Sequence, residues 1–207
     1  MSFIATIDND TVASLPAARI SGRIVIVDRE EQVEAACADL ARCDIIGFDT
    51  ETRPSFKVGV APRGLLLRLA TPGCGYLFRL CRIRLDNRIL KILGSRRIIK
   101  VGADVAGDIR SLHALRQFTA DGFIDLQHEA PHWGIEEKSL RKLSAIVLNE
   151  RVSKAQRLSN WEAGTLTEQQ QEYAATDAWR CLKLIDRLLR EAPEGYKPTI
   201  ISAQPTE

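Results

Sequence analysis

The sequence predicts an α/β fold built on a mixed β-sheet, and three observations carry that prediction. Short apolar runs alternate with stretches of helical periodicity, the βαβα order that produces parallel neighbours in a sheet. Two adjacent β-like runs separated by a tight turn signal add an antiparallel hairpin. From Lys138 onward the chain reads as mainly helical.

Taken in order, residues 23–27 (RIVIV) form the first expected strand. Residues 30–42 (EEQVEAACADLAR) follow as an amphipathic helix, with Val33, Ala36, Cys37 and Leu40 at helical spacing. The next strand is the apolar run that ends in IIGFDTET. Pro54 and the segment 57–64 interrupt the pattern with Pro and Gly. LLLRLAT (65–71) and GYLFRL (75–80) then flank the turn signal Thr71-Pro72-Gly73, the expected hairpin. A helix near 85–94, a short strand IIKVG, a helix over about 106–115 and a strand GFIDL complete the alternation. SLRKLSAIVLNE has apolar residues at helical intervals, and a polar, basic connection leads from it into the last long helix. Thr167 followed three residues later by Gln170 fits a capping box, so that helix is expected to begin there. The expected organisation is an N-terminal extension (1–22), one domain (23–192) and a loosely ordered C-terminal tail (193–207).

A chain of 207 residues with 45% hydrophobic content can bury a substantial single core. No apolar stretch approaches the roughly 18 uninterrupted residues of a membrane span, and MSFIATIDND lacks a basic region followed by an apolar signal core. The expectation is a soluble, cytoplasmic protein with no membrane partner. Five cysteines show neither a CxxC pair nor zinc-type spacing with His113, His128 or His132, so free thiols are expected. The formal charge is only +2, yet Arg79, Arg82, Arg84, Arg88, Lys91, Arg96, Arg97 and Lys100 are crowded together with Asp86 alone against them. Such a run is either a solvated helix face or a surface for a polyanion. Arg151, Lys154 and Arg157 leave the same choice open, between a phosphate track and a solubilised loop.

The chemistry lies in acids from three separated segments. Asp49 and Glu51 end a buried strand, and because side chains alternate along a strand, these two project together. Tyr173 and Asp177 lie four apart on a helical stretch and therefore share a face. Asp108 stands between them in KVGADVAGDIRSL, and nearby Asp104 competes for its role. Phosphodiesters resist hydrolysis because a nucleophile must approach an anion and the departing alkoxide must be stabilised; a pair of divalent cations addresses both difficulties. Mg²⁺ and Mn²⁺ favour hard oxygen ligands, so four converging carboxylates would make a suitable cradle. A tyrosine, with an ordinary pKa of about 10, suits the positioning of a water better than the removal of its proton.

These residues resemble a known family, the DnaQ-like or DEDD 3′–5′ exonucleases, in its tyrosine-containing subgroup. FDTET, KVGADVAGDIRSL and YAATDA correspond in order to that family's three motifs, and the resemblance covers about residues 24–190. The stretch SLRKL…SNW…LTEQQQEYAATDA is particularly similar to ribonuclease D and to the exonuclease domain of the Werner syndrome helicase. The resemblance implies a ribonuclease H-like fold, a mixed sheet flanked by helices. It implies that Asp49, Glu51 and Asp177 hold the metal that carries the attacking water, that Asp49 bridges to a second metal, and that Asp108 completes that second site directly or through water. Tyr173 would orient the nucleophile, with Mg²⁺ or Mn²⁺ as cofactor and a 3′-ended DNA or RNA as partner. Two departures stand out. Ala103-Asp104 replaces a His-Asn pair common in the second motif, and Arg68 stands where relatives often carry Gln.

Each residue also has an ordinary reading. Acids after strands are often caps or solvated loop residues, and a tyrosine can be a core aromatic; for Asn160 and Trp161 a turn and packing are favoured over support of the active-site wall. Two other functions compete. Asp49-Thr50-Glu51-Thr52 looks superficially like the DxDxT segment of haloacid dehalogenase-type phosphatases, which leaves Tyr173 and Asp177 unexplained. A catalytically silent nucleic-acid-binding module of the same fold would have no use for carboxylates that repel phosphate. The choice between DNA and RNA stays open, because the same chemistry serves both.

Overall fold

The computed structural model describes residues 3–52, 64–153 and 155–204. The interruption at Pro54, most of segment 57–64, and Lys154 lie outside these residues. Among the described residues, seven strands form one mixed sheet: β1 (Arg23–Val27), β2 (Ile45–Glu51), β3 (Leu66–Thr71), β4 (Cys74–Arg79), β5 (Ile99–Gly102), β6 (Ala120–Asp125) and β7 (Ile201–Ala203). Their spatial order is β1-β4-β3-β2-β5-β6-β7. β2, β5 and β6 run parallel, β2, β3 and β4 are joined antiparallel, and β1 returns parallel to β4. The hairpin read from Thr71-Pro72-Gly73 is therefore present as β3 and β4.

Helices cover both faces, which is why β3 and β4 are buried along their whole length. On one face α2 (Glu30–Leu40), α3 (Asn87–Leu93) and α4 (Val105–His113) pack over Phe48, Leu67, Leu69, Phe78 and Phe123. The other face carries α5 (Leu126–Glu129), α6 (Leu140–Leu148) and the 23-residue α7 (Glu168–Arg190). Alternation along the strands decides which side chains meet which layer. Ile46 and Phe48 enter the first core, whereas Gly47 faces α7.

Thr167 and Gln170 form the expected capping box: the Thr167 hydroxyl accepts from the Gln170 N–H at 3.2 Å, and the Gln170 side chain accepts from the Thr167 N–H at 2.9 Å. From there α7 lies very close to the sheet. Its Ala174, Ala175 and Ala178 are buried over Leu66, Ala70 and Leu77, with glycines at 47 and 75 beneath. Small residues on both sides let backbone approach backbone, and this closeness brings the early turns of α7 against the ends of β2 and β3.

Both termini are docked in the described residues. Asp8 caps the helix α1 (Asn9–Ser14), accepting from the Asp10 and Thr11 N–H groups, and Ile7 and Val12 pack with Ala145 of α6. The Ala18 N–H bonds to the Arg151 carbonyl at 2.8 Å, and the Arg151 N–H to the Pro16 carbonyl at 2.9 Å. At the other end, the expectation of a loose tail is corrected over 193–204. β7 pairs antiparallel with β6, Tyr196 packs edge-on to Trp133 at 4.6 Å, and its hydroxyl donates to Glu129. A three-residue strand adds to an existing edge only because of that edge, so it leaves little periodic signal of its own.

The basic run is likewise not a single solvated face. Arg79 is buried, donating to the carbonyls of Trp161, Ala163 and Gly164, and α3 itself carries only Arg88 and Lys91 from the set. Lys100 is fully buried on β5; its ammonium donates to the carbonyls of Ser95 (2.5 Å), Ile98 (2.6 Å) and Asp121 (2.5 Å) and lies 4.8 Å from the Phe123 ring centre. Lys100→Met keeps the length of the stem but takes the donor from one buried and two part-buried carbonyls, so an unfolding free-energy loss of about 3 kcal/mol is expected in urea titration. A loss under about 1 kcal/mol would mean those carbonyls are satisfied without the ammonium.

Candidate active site

The two carboxylates of β2 are aimed by strand geometry. Asp49 and Glu51 fall on the α7 side, together with Gly47, and Thr50 between them turns to the α4 side. There the Thr50 hydroxyl donates to Asp108 Oδ1 at 2.6 Å. Asp108 is thus held against β2 from the opposite layer, one turn into α4. Asp104 stands exposed at the head of the same helix, in the left-handed conformation (φ 69°). The α4 N-terminus is closed by Asp125, which accepts from the Val105 N–H at 2.9 Å and the Gln127 N–H at 2.9 Å. That acid is a structural cap.

Tyr173 and Asp177 face β2 and β3 from the early turns of α7. The Tyr173 ring stacks on Trp161, with centres 6.1 Å apart and planes 24° from parallel. Trp161 is buried, and its backbone carbonyl is held by Arg79, so two residues outside the acidic set fix the orientation of the tyrosine. The structural role expected for Trp161 thus acts on the site itself. Asp49, Glu51, Tyr173 and Asp177 all line one cleft of about 530 Å³, with Arg157 and the exposed Leu158 at its wall. A second cleft, of about 280 Å³, lies between residues 17–19, the segment near Arg151 and α7, and it shares Tyr173 and Asp177 with the first.

Arg68 is the residue whose importance the sequence left open. The register pairs it directly with Asp49 across β2 and β3, and a directly opposed pair in an antiparallel ladder projects from the same face. Its guanidinium forms ion pairs with Asp49, with Asp177 at 2.9 Å and with Glu51 at 3.7 Å, and also donates to the Thr50 carbonyl at 2.9 Å. Its side chain is only 3% exposed. The departure from Gln noted at this position was the one available signal, but nothing local indicated that the charge would be turned inward.

The electrostatics follow from burial. Desolvation raises the pKa of Asp49 and Glu51 despite the opposing pull of Arg68, and raises Asp177 to about 7. Burial and the Asp49 charge hold Asp108 well above the usual carboxylate range. Tyr173 is pushed up, first by burial and then by the Asp177 charge, so its hydroxyl stays protonated and available as a donor. Burial works against the charge on Arg68, but Asp49, Asp177 and Glu51 more than offset it. Among the described residues, Asp108 Oδ2 and Asp177 Oδ1 are buried with no hydrogen-bond partner. Buried acceptors normally have a donor or a cation beside them, so this donor set is under-satisfied. Its hard oxygens suit Mg²⁺ or Mn²⁺.

Comparison with known proteins agrees with this architecture. Residues 24–193 match a family model described as a 3′-5′ exonuclease. The chain is 33% identical over 153 residues to the bifunctional 3′-5′ exonuclease/ATP-dependent helicase WRN of Mus musculus, covering 70% of this chain and 11% of that protein. It is also 33% identical over 152 residues to exonuclease 3′-5′ domain-containing protein 2 of Drosophila melanogaster, covering 71% and 26% respectively. The chain thus spans about a quarter or less of the length of these curated relatives. Among solved structures, Escherichia coli RNase D superposes with a TM-score of 0.72 at 22% identity, over 80% of this chain and 44% of that one. Matched to that family over residues 24–193 and folded as a mixed sheet between two helical layers, the chain belongs to the 3′–5′ exonuclease domain family and has its ribonuclease H-like fold.

Proposed function

We propose that this chain hydrolyses the terminal phosphodiester at a free 3′ end of a nucleic acid and releases nucleoside 5′-monophosphates, with divalent cations held by Asp49, Glu51, Asp108 and Asp177. The observation that carries this reading is the convergence of Asp49, Glu51 and Asp177 on one cleft, with Asp108 held against β2 from the opposite layer through Thr50 and with buried oxygens of Asp108 and Asp177 that lack partners. When bound, such ions supply an activated water and stabilise charge on the departing oxygen. The chain's own part is to position. Tyr173, stacked on Trp161 and kept protonated, offers a donor that aligns the nucleophile. Arg157 and Leu158 at the cleft wall combine a phosphate partner with an apolar surface for a sugar or base, which favours recognition indifferent to base identity.

The phosphatase alternative requires Asp49 as a free nucleophile, whereas Asp49 is ion-paired to Arg68. The experiment is direct: 3′- and 5′-labelled DNA and RNA oligonucleotides are incubated with Mg²⁺ or Mn²⁺, with a chelator control. The expected result is stepwise shortening from the 3′ end that stops on chelation, with mononucleotides as product. Orthophosphate released from monoesters, or no metal-dependent shortening of either polymer, would overturn the proposal.

A further inference from the structure

We infer that Arg68 is a resident counter-cation of the carboxylate pocket, and that divalent ions load this chain in competition with it. The inference rests on the proposed metal-binding role of the acids. It goes further by assigning a control of metal affinity to a residue of the chain itself.

Three observations point to it. The guanidinium occupies the centre of the set, paired with Asp49, Glu51 and Asp177, the three acids on the α7 side of β2. Those are the carboxylates through which a metal on that side would be held. Its charge is also committed inward: the side chain is 3% exposed, one Nη donates to Asp177 Oδ2 and the other to the Thr50 carbonyl, and the Nε–H is buried without a partner. Arg68 lines the cleft, but with its guanidinium committed to these partners it is not offered as a hook for substrate phosphate. Finally, the acids as they stand are spaced as partners of a planar fork; among the described residues, no three His, Cys, Asp or Glu side chains are placed to hold a metal ion together.

The physical consequence is a competition between cations. A guanidinium offers a fixed array of N–H donors and satisfies carboxylates by hydrogen bonds, whereas a divalent ion needs oxygens drawn to it on all sides. Both cannot take the same lone pairs. Two positive charges a few ångströms apart in a buried site also repel strongly, even with an effective dielectric constant of about 20. Metal entry therefore requires Arg68 to loosen its bonds to Asp49 and Asp177, and the apparent metal affinity is lowered by that cost. Without metal, the arginine prevents three neighbouring carboxylates from facing each other unscreened. It is a staple for the empty pocket and a brake on filling it.

The test is calorimetric titration of Mn²⁺ into the wild-type chain, Arg68→Gln and Arg68→Lys, without nucleic acid. Removing the charge in Arg68→Gln is expected to lower the Mn²⁺ dissociation constant at least about tenfold, and Arg68→Lys, which keeps a cation, to stay within about threefold of wild type. Thermal melts should show Arg68→Gln less stable than wild type without metal and gaining more on adding Mn²⁺. Because Arg68→Gln can fail to fold, a second measurement uses the wild-type chain alone: the Arg68 Nε–H resonance, assigned with Arg68→Lys, is expected to move as Mg²⁺ is added to saturation. Tight Mn²⁺ binding that is equal in wild type and Arg68→Gln, or an Arg68 resonance unmoved by saturating Mg²⁺, would overturn the competition while leaving the metal site intact. Equal tightening in Arg68→Gln and Arg68→Lys would also overturn it, by tracing the effect to shape rather than charge. Absence of Mn²⁺ binding in every form would instead remove the metal-binding reading, and this inference with it.

Discussion

Asp49→Asn is expected to reduce turnover of a 3′-ended oligonucleotide in Mg²⁺ by at least about 10³-fold, the scale of losing a charged group that organises the reacting atoms. The size of the effect follows from the position of this residue. It pairs with Arg68 on one side, and its charge acts on Asp108 and Asp177 on the others. Asparagine keeps the shape but removes the charge, so both cation binding and the balance against Arg68 are lost together. The strand is also held by its ladder to β3 and β5 and by the core under Phe48, so the variant is expected to fold, with some loss of stability from the weakened pairing to buried Arg68. Single-turnover rates on a labelled oligonucleotide, with a thermal melt to confirm folding, decide the matter. Asp104→Asn is the control: that residue is exposed, and asparagine accepts its left-handed backbone, so activity within about twofold of wild type is expected. An Asp49→Asn protein that keeps a tenth or more of the activity would remove the acidic set from the chemistry.

Gly47→Ala is expected to be among the most damaging single-methyl additions in the chain. A Cβ at this position would stand 1.9 Å from the carbonyl oxygen of Ala178 and 2.7 Å from its carbon. Both are backbone atoms of α7, so no rotamer change relieves the clash; either the helix lifts or the strand bends. Overpacking of this kind typically costs 1–3 kcal/mol, and with backbone on both sides a loss of about 3 kcal/mol or more is expected. For a chain of this size that corresponds to a fall in Tm of roughly 10 °C. Activity should fall as well, because Gly47 lies two residues before Asp49 and Ala178 directly follows Asp177. Lifting α7 therefore separates the two acids. Gly73, at the β3–β4 turn, has no atom within 4 Å of its would-be Cβ, and Gly73→Ala should melt close to wild type. A Gly47→Ala melting temperature within about 2 °C of wild type would show that α7 is not seated as tightly as its small residues indicate.

The elements and the acids were legible in different ways. Strand and helix positions could be read because periodicity is a local property: RIVIV, IIGFD and the capped helix at Thr167 state their own conformation within a few residues. The shared direction of Asp49 with Glu51, and of Tyr173 with Asp177, follows from the same two periods. Short pieces were not legible in this way. The helix at Asn9–Ser14 buries Val12 alone, and β7 pairs only because β6 offers an edge. The eight basic residues of 79–100 looked alike in sequence, but burial divides them. Arg79 and Lys100 serve backbone carbonyls inside the protein, while Arg88 pairs with Asp86 and Glu30 at the surface.

By itself, then, the amino-acid order determined an α/β chain with a mixed sheet and the residues able to supply hard oxygen ligands, since each of those properties is written in a window of neighbours. Only the tertiary structure decided that Arg68 lies across from Asp49 and reaches Asp177 more than a hundred residues away, and that Thr50 holds Asp108 from the opposite layer. The reason is physical: strand register and helix seating are chosen by the burial of the whole sheet, and a shift of one residue would turn every one of these side chains to the other face.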